Sequence, residues 1–211
     1  MSRELPIVFD TESVKAILDR GKTQTRRVMK PFPDVQCVKL HRHGDEWLES
    51  WLEHGVPCYR GDVGMRHKSP YRKGDLLWVR EAWRPWSKDD CGCVSDYNEC
   101  FCDKGVLYAA NCGCDSDIGP WKSPVSMPKK AARLWLRVTN VRAERLQDIA
   151  EDDARMEGVS GLWNYQPPEY YEDVSMRYLD YYTAAFAGRW DRLNAKRGYP
   201  WDDNPWVWVY E

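Results

Sequence analysis

The sequence contains no long apolar run. Its longest stretch free of Asp, Glu, Lys and Arg is residues 158–168, 11 residues with two prolines among them. That is too short and too broken for the roughly 30 Å of a bilayer core, so no transmembrane helix is expected. An excess of one charge is also absent. With 31 Lys+Arg against 33 Asp+Glu the net charge is −2, which argues against wholesale electrostatic capture of duplex DNA. Any nucleic-acid site must be local. Met1 to Asp10 carries charges on both sides of a short apolar core, with no apolar leader following, so a cytoplasmic chain without a signal peptide is expected.

What the chain has is aromatic mass: 12 Trp, 12 Tyr and 4 Phe in 211 residues. A charged fraction of 30% and a mean hydropathy of −0.72 would suit disorder, but side chains of this size bury enough area each to drive folding. A mass of 24.8 kDa suits one domain with insertions at about residues 31–68 and 86–124.

Eight cysteines are too few for a disulfide scaffold in a chain of this length. Their placement is more informative. Cys91/Cys93, Cys100/Cys102 and Cys112/Cys114 form three C-x-C pairs within 24 residues. In an extended C-x-C two thiolates face one side, and Gly92 and Gly113 permit the bend that brings both sulfurs to one ion. Any two pairs would complete a structural zinc site; the alternative is reduced thiols in a loop. A second constellation, Cys37, His41, His43, His54 and Cys58, also has metal-ligand chemistry across a hairpin.

Along the chain, Pro6 to Phe9 reads as a strand and Thr11 to Arg20 as a helix stopped by Gly21. The turn after it begins a stretch from Arg20 to Lys30 with five basic residues and no acidic one. Gly74-Asp75 is a turn before the strand Leu76 to Trp83, with Trp78 and Arg80 on one face and Val79 and Glu81 on the other. Ala131 to Leu146 alternates as one long strand. Glu151 to Glu157 reads as a short acidic helix, Tyr171 to Lys196 as a longer one, and Asn204 to Tyr210 as a terminal strand. First and last elements are both strands, which suits a small barrel closed by pairing its ends. Trp190, Trp206 and Trp208 are expected to be packing residues.

A helix ending at Gly21 would deliver Lys22, Thr25 and Arg27 into such a barrel's mouth. An ammonium, a hydroxyl and a guanidinium together suit a phosphate or a polarised carbonyl. The alternative for any basic turn is a solvated surface. Trp78, Trp83 and Trp86, interleaved with Arg80 and Arg84, suit stacking on a base while the arginines take phosphates.

The run Ile17-Leu18-Asp19-Arg20-Gly21-Lys22-Thr23-Gln24-Thr25-Arg26-Arg27, followed by Gly74 to Glu81, Leu146-Gln147-Asp148-Ile149 and Trp201 to Val209, resembles the ASCH family of PUA-like proteins, in the branch carried by bacteriophages and prophages. The resemblance implies an α+β fold: a small PUA-like β-barrel with helices at its rim, carrying here an inserted Cys-rich hairpin. It implies a bacterial host cytoplasm and recognition of single-stranded RNA or a modified nucleotide, with Arg26, Arg27, Trp78, Arg80, Trp83 and Arg137 as candidate ligand-binding residues. The alternatives are an amidohydrolase and a phage accessory protein that binds a host protein. In the ASCH amidohydrolases that remove an acyl group from N4 of cytidine, Lys, Thr and Glu are catalytic. The first two match Lys22 and Thr25, whereas the Glu position falls on Arg137. Glu81 is the candidate substitute, its alternative being an ion pair with Arg80 or Arg84.

Overall fold

A computed structural model describes residues 2–30, 39–53, 56–58, 66–85, 105–111, 120–159 and 181–211. The strands are β1 (Glu4–Val8), β2 (Thr25–Val28), β3 (Lys39–His43), β4 (Glu46–Glu53), β5 (Val56–Cys58), β6 (Arg66–Lys68), β7 (Leu76–Arg80), β8 (Trp83–Pro85), β9 (Val106–Tyr108), β10 (Trp135–Arg137), β11 (Val141–Arg145) and β12 (Trp206–Tyr210). The helices are α1 (Thr11–Leu18), α2 (Glu151–Met156) and α3 (Tyr181–Asn194). The architecture is mixed α+β, in small sheets with few helices. No helix among the described residues is long and apolar enough to cross a membrane. The chain divides into two compact units, Met1–Arg20 with Gly74–Arg137 and Gly21–Lys73 with Val138–Glu211.

In the first unit β7 is central, parallel to β1 and antiparallel to β10. Leu77 and Val79 are buried on one face of β7, as strand alternation requires. The helix α1 begins where Asp10 accepts a hydrogen bond from the Ser13 amide at 2.9 Å, satisfying a donor that the first turn leaves open. It ends as Arg20 turns left-handed, at φ 59°. The hairpin β8–β9 pairs Trp83 with Tyr108.

In the second unit β12 lies between β11 and β2, antiparallel to both. Val207 and Val209 point from it into a core with Leu146, Phe186, Trp190 and Trp201, so α2 and α3 cover that face. Trp208 points from the other face and meets Trp47 of β4 edge-on, with ring centroids 5.8 Å apart. β3 and β4 form a hairpin through Gly44, at φ 62°, and β5 and β6 each pair with β4. Within this hairpin sheet, buried Glu49 and His67 bond at 2.5 Å. Trp190, Trp206 and Trp208 are all buried, as expected.

Two expectations are corrected. The terminal strands do not pair with each other: β1 joins β7, whereas β12 occupies the middle of its own sheet. Every residue of β12 is buried, and a strand buried on both faces needs neighbours on both edges. β1 alternates between exposed and buried positions and suits an edge. The long strand over 131–146 is two, β10 and β11, in different sheets. Between them Thr139 donates its amide to the Glu211 carbonyl, and Glu211 returns a bond to the Asn140 carbonyl. Alternation continues through such a change of partner, because both halves are still strands. Cys91, Cys93, Cys100, Cys102, Cys112 and Cys114 lie outside the described residues, as do Cys37, His54, Trp86 and residues 171–180 of the expected long helix.

Candidate functional site

The basic turn after Gly21 leads into β2, and its side chains divide by parity. Across the antiparallel pair β2–β12, Arg26 lies beside Val209 and Thr25 beside Tyr210. Cross-strand partners share a face, so Arg26 faces the core side with α2 and α3, and Thr25 and Arg27 face the other side. Lys22 and Gln24, at the same parity as Arg26, meet α2. Lys22 bridges to Glu157, and the Thr23 and Gln24 amides both donate to the Met156 carbonyl.

Around this contact is a web of charge. The Lys22 Nζ donates to Glu157 Oε2 at 2.5 Å and to the Glu157 carbonyl at 2.9 Å. Arg26, with a side chain 0% exposed, reaches Glu144 at 2.6 Å, Asp153 at 3.1 Å and Glu157 at 3.2 Å. Gln24 donates to Asp153 at 2.9 Å. Arg142 donates to Asp153 at 2.6 Å, to Glu144 at 2.9 Å and to Glu211. A guanidinium out of water must have its donors met, and here two strands and one helix supply the carboxylates.

The ionisation of these groups follows from that geometry. Burial pushes the Lys22 ammonium below its ordinary pKa, Glu157 opposes the shift without cancelling it, and Arg189 and Arg27 depress it further. Burial alone would raise Asp153, but Gln24, Arg142 and Arg26 more than offset it and hold the carboxyl low. On the opposite face, burial raises the Tyr71 and Tyr210 phenols, and the Arg27 charge pulls both down in part. The Tyr210 hydroxyl bonds Ser69 at 2.9 Å, and the Tyr71 and Tyr210 rings meet at 5.0 Å. Arg27 therefore acts on Lys22 and on two phenols at once.

Several expected site residues are placed differently. Arg26 is committed to three carboxylates, so it organises the site instead of reaching a ligand. Glu81 belongs to the other unit, where it is 1% exposed and accepts from Arg133 at 2.9 and 2.8 Å. Its partner is thus neither Arg80 nor Arg84. Trp78 is buried, with the Arg80 guanidinium 4.5 Å from its ring centroid. Trp83 is half-buried, donates to Ser126 at 3.3 Å and has the Lys122 ammonium 5.4 Å from its ring. Arg137 is exposed on β10.

Sequence reasoning missed Glu157, the carboxylate that meets Lys22. The signal was present: Asp153 and Glu157 are four apart on a short helix and therefore share a face, while Lys22, Gln24 and Arg26 alternate at strand spacing. Comparison of the chain with protein-family models, with curated proteins and with solved structures returned no match.

Proposed function

We propose that the chain is a nucleotide-recognising protein of the ASCH kind, built on a PUA-like barrel. On this reading the centre of its second unit takes a phosphate-bearing or modified nucleotide. The observation that supports the reading is the placement of Arg27 on the face of β2 opposite the Arg26 web, where its charge acts on the Tyr71 and Tyr210 phenols. The web of Arg26, Arg142 and their carboxylates holds the frame, so that Lys22 and Arg27 keep fixed positions. Arg27, with Tyr71 and Tyr210 within reach of its charge, suits a phosphate oxygen beside a flat ring.

A second reading, an amidohydrolase acting on N4-acylated cytidine, draws support from Glu157. A carboxylate beside Lys22 offers an acid in place of the one whose position Arg137 occupies. Against it, Thr25 faces away from Arg26 on β2, so the Lys–Thr contact needed to activate a hydroxyl nucleophile is not formed. Recognition is therefore the reading taken.

Calorimetric titration with cytidine 5′-monophosphate and with N4-acetylcytidine tests both. Saturable binding of the phosphorylated ligand, weakened about tenfold or more in Arg27→Ala, is the expected result. Absence of saturable binding for either ligand overturns the reading. Release of acetate by the wild-type protein, lost in Thr25→Ala, replaces it with the hydrolase.

A further inference from the structure

The last residue of α2 is open to solvent, yet its side chain touches the buried charge web. Met156 is 43% exposed, and its Sδ accepts a hydrogen bond from Gln24 Nε2 at 3.3 Å. Gln24 is buried, and both donors and both lone pairs of its side-chain amide are in use. Nε2 also donates to Asp153 at 2.9 Å, and Oε1 accepts from Arg142 at 3.2 Å and from Arg26 at 3.4 Å. The Met156 main chain lies at the same place, its carbonyl accepting the Thr23 and Gln24 amides at 2.8 and 2.9 Å. Its neighbour Glu157 holds Lys22. One thioether thus connects solvent to the seam between α2 and the segment that leads into β2.

The other methionines among the described residues are placed differently. Met29 is 0% exposed and Met127 is 1% exposed, and the Met127 Sδ accepts from the Glu81 amide in a buried contact. Met1, Met65 and Met176 lie outside the described residues. A thioether reacts with oxidants according to its access to solvent, and the product is polar, chiral and enzymatically reversible. Met156 combines that access with a contact whose loss the interior would register.

We propose that Met156 is a site of reversible oxidation by peroxide, and that its sulfoxide releases Gln24 and loosens the seam between α2 and β2. The outer lone pair of the sulfur attacks one peroxide oxygen, and the O–O bond breaks as the S–O bond forms. The proton on the transferred oxygen passes to the departing hydroxide, which leaves as water. The thioether is thereby oxidised by two electrons and the peroxide reduced. Oxygen enters on the side away from Gln24, because the amide covers the inner lone pair, so one of the two sulfoxide epimers is formed in excess. The sulfoxide oxygen is hydrated and draws the side chain outward, and the second Nε2 hydrogen of Gln24 is left buried without an acceptor. An orphaned buried donor destabilises the fold that contains it.

Nothing in this contact depends on whether the second unit takes a nucleotide. The test is treatment of the full chain with dilute hydrogen peroxide, followed by peptide mass spectrometry, thermal melts and repair with the two methionine sulfoxide reductases, each specific for one epimer. Met156 is expected to oxidise about tenfold or more faster than Met29 and Met127. Its oxidation is expected to lower Tm by about 2–4 °C, and one of the two reductases to restore it. Met156→Leu, which fills the space without offering an acceptor, should show the lowered Tm before peroxide and little further change after it. Oxidation of Met29 or Met127 ahead of Met156 overturns the proposal. So does a Tm that stays level or rises in the Met156 sulfoxide, or a peroxide-dependent fall in Met156→Leu as large as that of wild type. Equal repair by both reductases overturns the covering of the inner lone pair by Gln24, and the release mechanism with it.

Discussion

Replacing Glu157 by Gln keeps the volume of a side chain 5% exposed and removes one charge from between two cations. Arg26 keeps Glu144 and Asp153, so its loss is small. Lys22 loses the carboxylate at 2.5 Å that holds its ammonium in place. Breaking a buried pair costs about 3–5 kcal/mol; with Arg26 still satisfied, about 3 kcal/mol is expected. For a chain of this size that lowers Tm by about 6–12 °C. The pH dependence gives a sharper check. The folded-state pKa of Lys22 lies below the ordinary 10.5. Between the two values the unfolded chain binds a proton that the native one has released, and stability rises with pH through that window. Without Glu157 the upward pull on Lys22 is gone, the folded pKa falls further, and the variant begins to recover stability at a lower pH than wild type. The stability gap should therefore be widest near neutrality and narrow as pH rises. Urea unfolding of both proteins at a series of pH values measures it. A gap below about 1 kcal/mol, or one that widens toward high pH, refutes the account of Lys22 as a buried cation held by Glu157.

In the first unit, Glu81→Gln leaves Arg133 without the carboxylate that takes two of its donors. A loss of about 3 kcal/mol in urea unfolding is expected, with Arg133 still anchored by Asn111 and against the Tyr108 ring. Asp10→Ala removes the cap of α1 and should cost about 1 kcal/mol by the same measurement, with nucleotide binding unchanged. A loss of ligand binding in Asp10→Ala would tie α1 to a site in a way the assignments above do not.

Local patterns in the chain were enough for local structure. Gly158 follows α2 at φ 76° and Gly74 turns the chain toward β7 at φ 93°, conformations that cost glycine little, whereas α1 stops before the expected Gly21, at Leu18, with Arg20 taking the positive φ. Alternation in residues 76–80 and 206–210 specified strands, and the acidic run from Glu151 specified a helix start, since each depends on neighbours within a few residues. The basic turn was equally legible, and Lys22 and Arg27 remain at the centre of the candidate site.

Partner choice was not legible. Nothing within Ala131 to Leu146 records that β10 pairs with β7 while β11 pairs with β12, because period-two alternation is the same whichever sheet receives the strand. Nor does the basic turn record which cations will be spent on structure. Arg26 and Arg27 are adjacent and chemically identical, yet the pleat sends one toward three carboxylates and the other toward Tyr71 and Tyr210. Glu157 became the partner of Lys22 across 135 positions of sequence only because α2 lies on the face of β2 that carries even-numbered residues. The sequence alone thus determined which groups carry charge and which segments extend or coil. Only the tertiary structure decided which charges meet, because a buried ion pair depends on desolvation and distance, and both are properties of packing rather than of order along the chain.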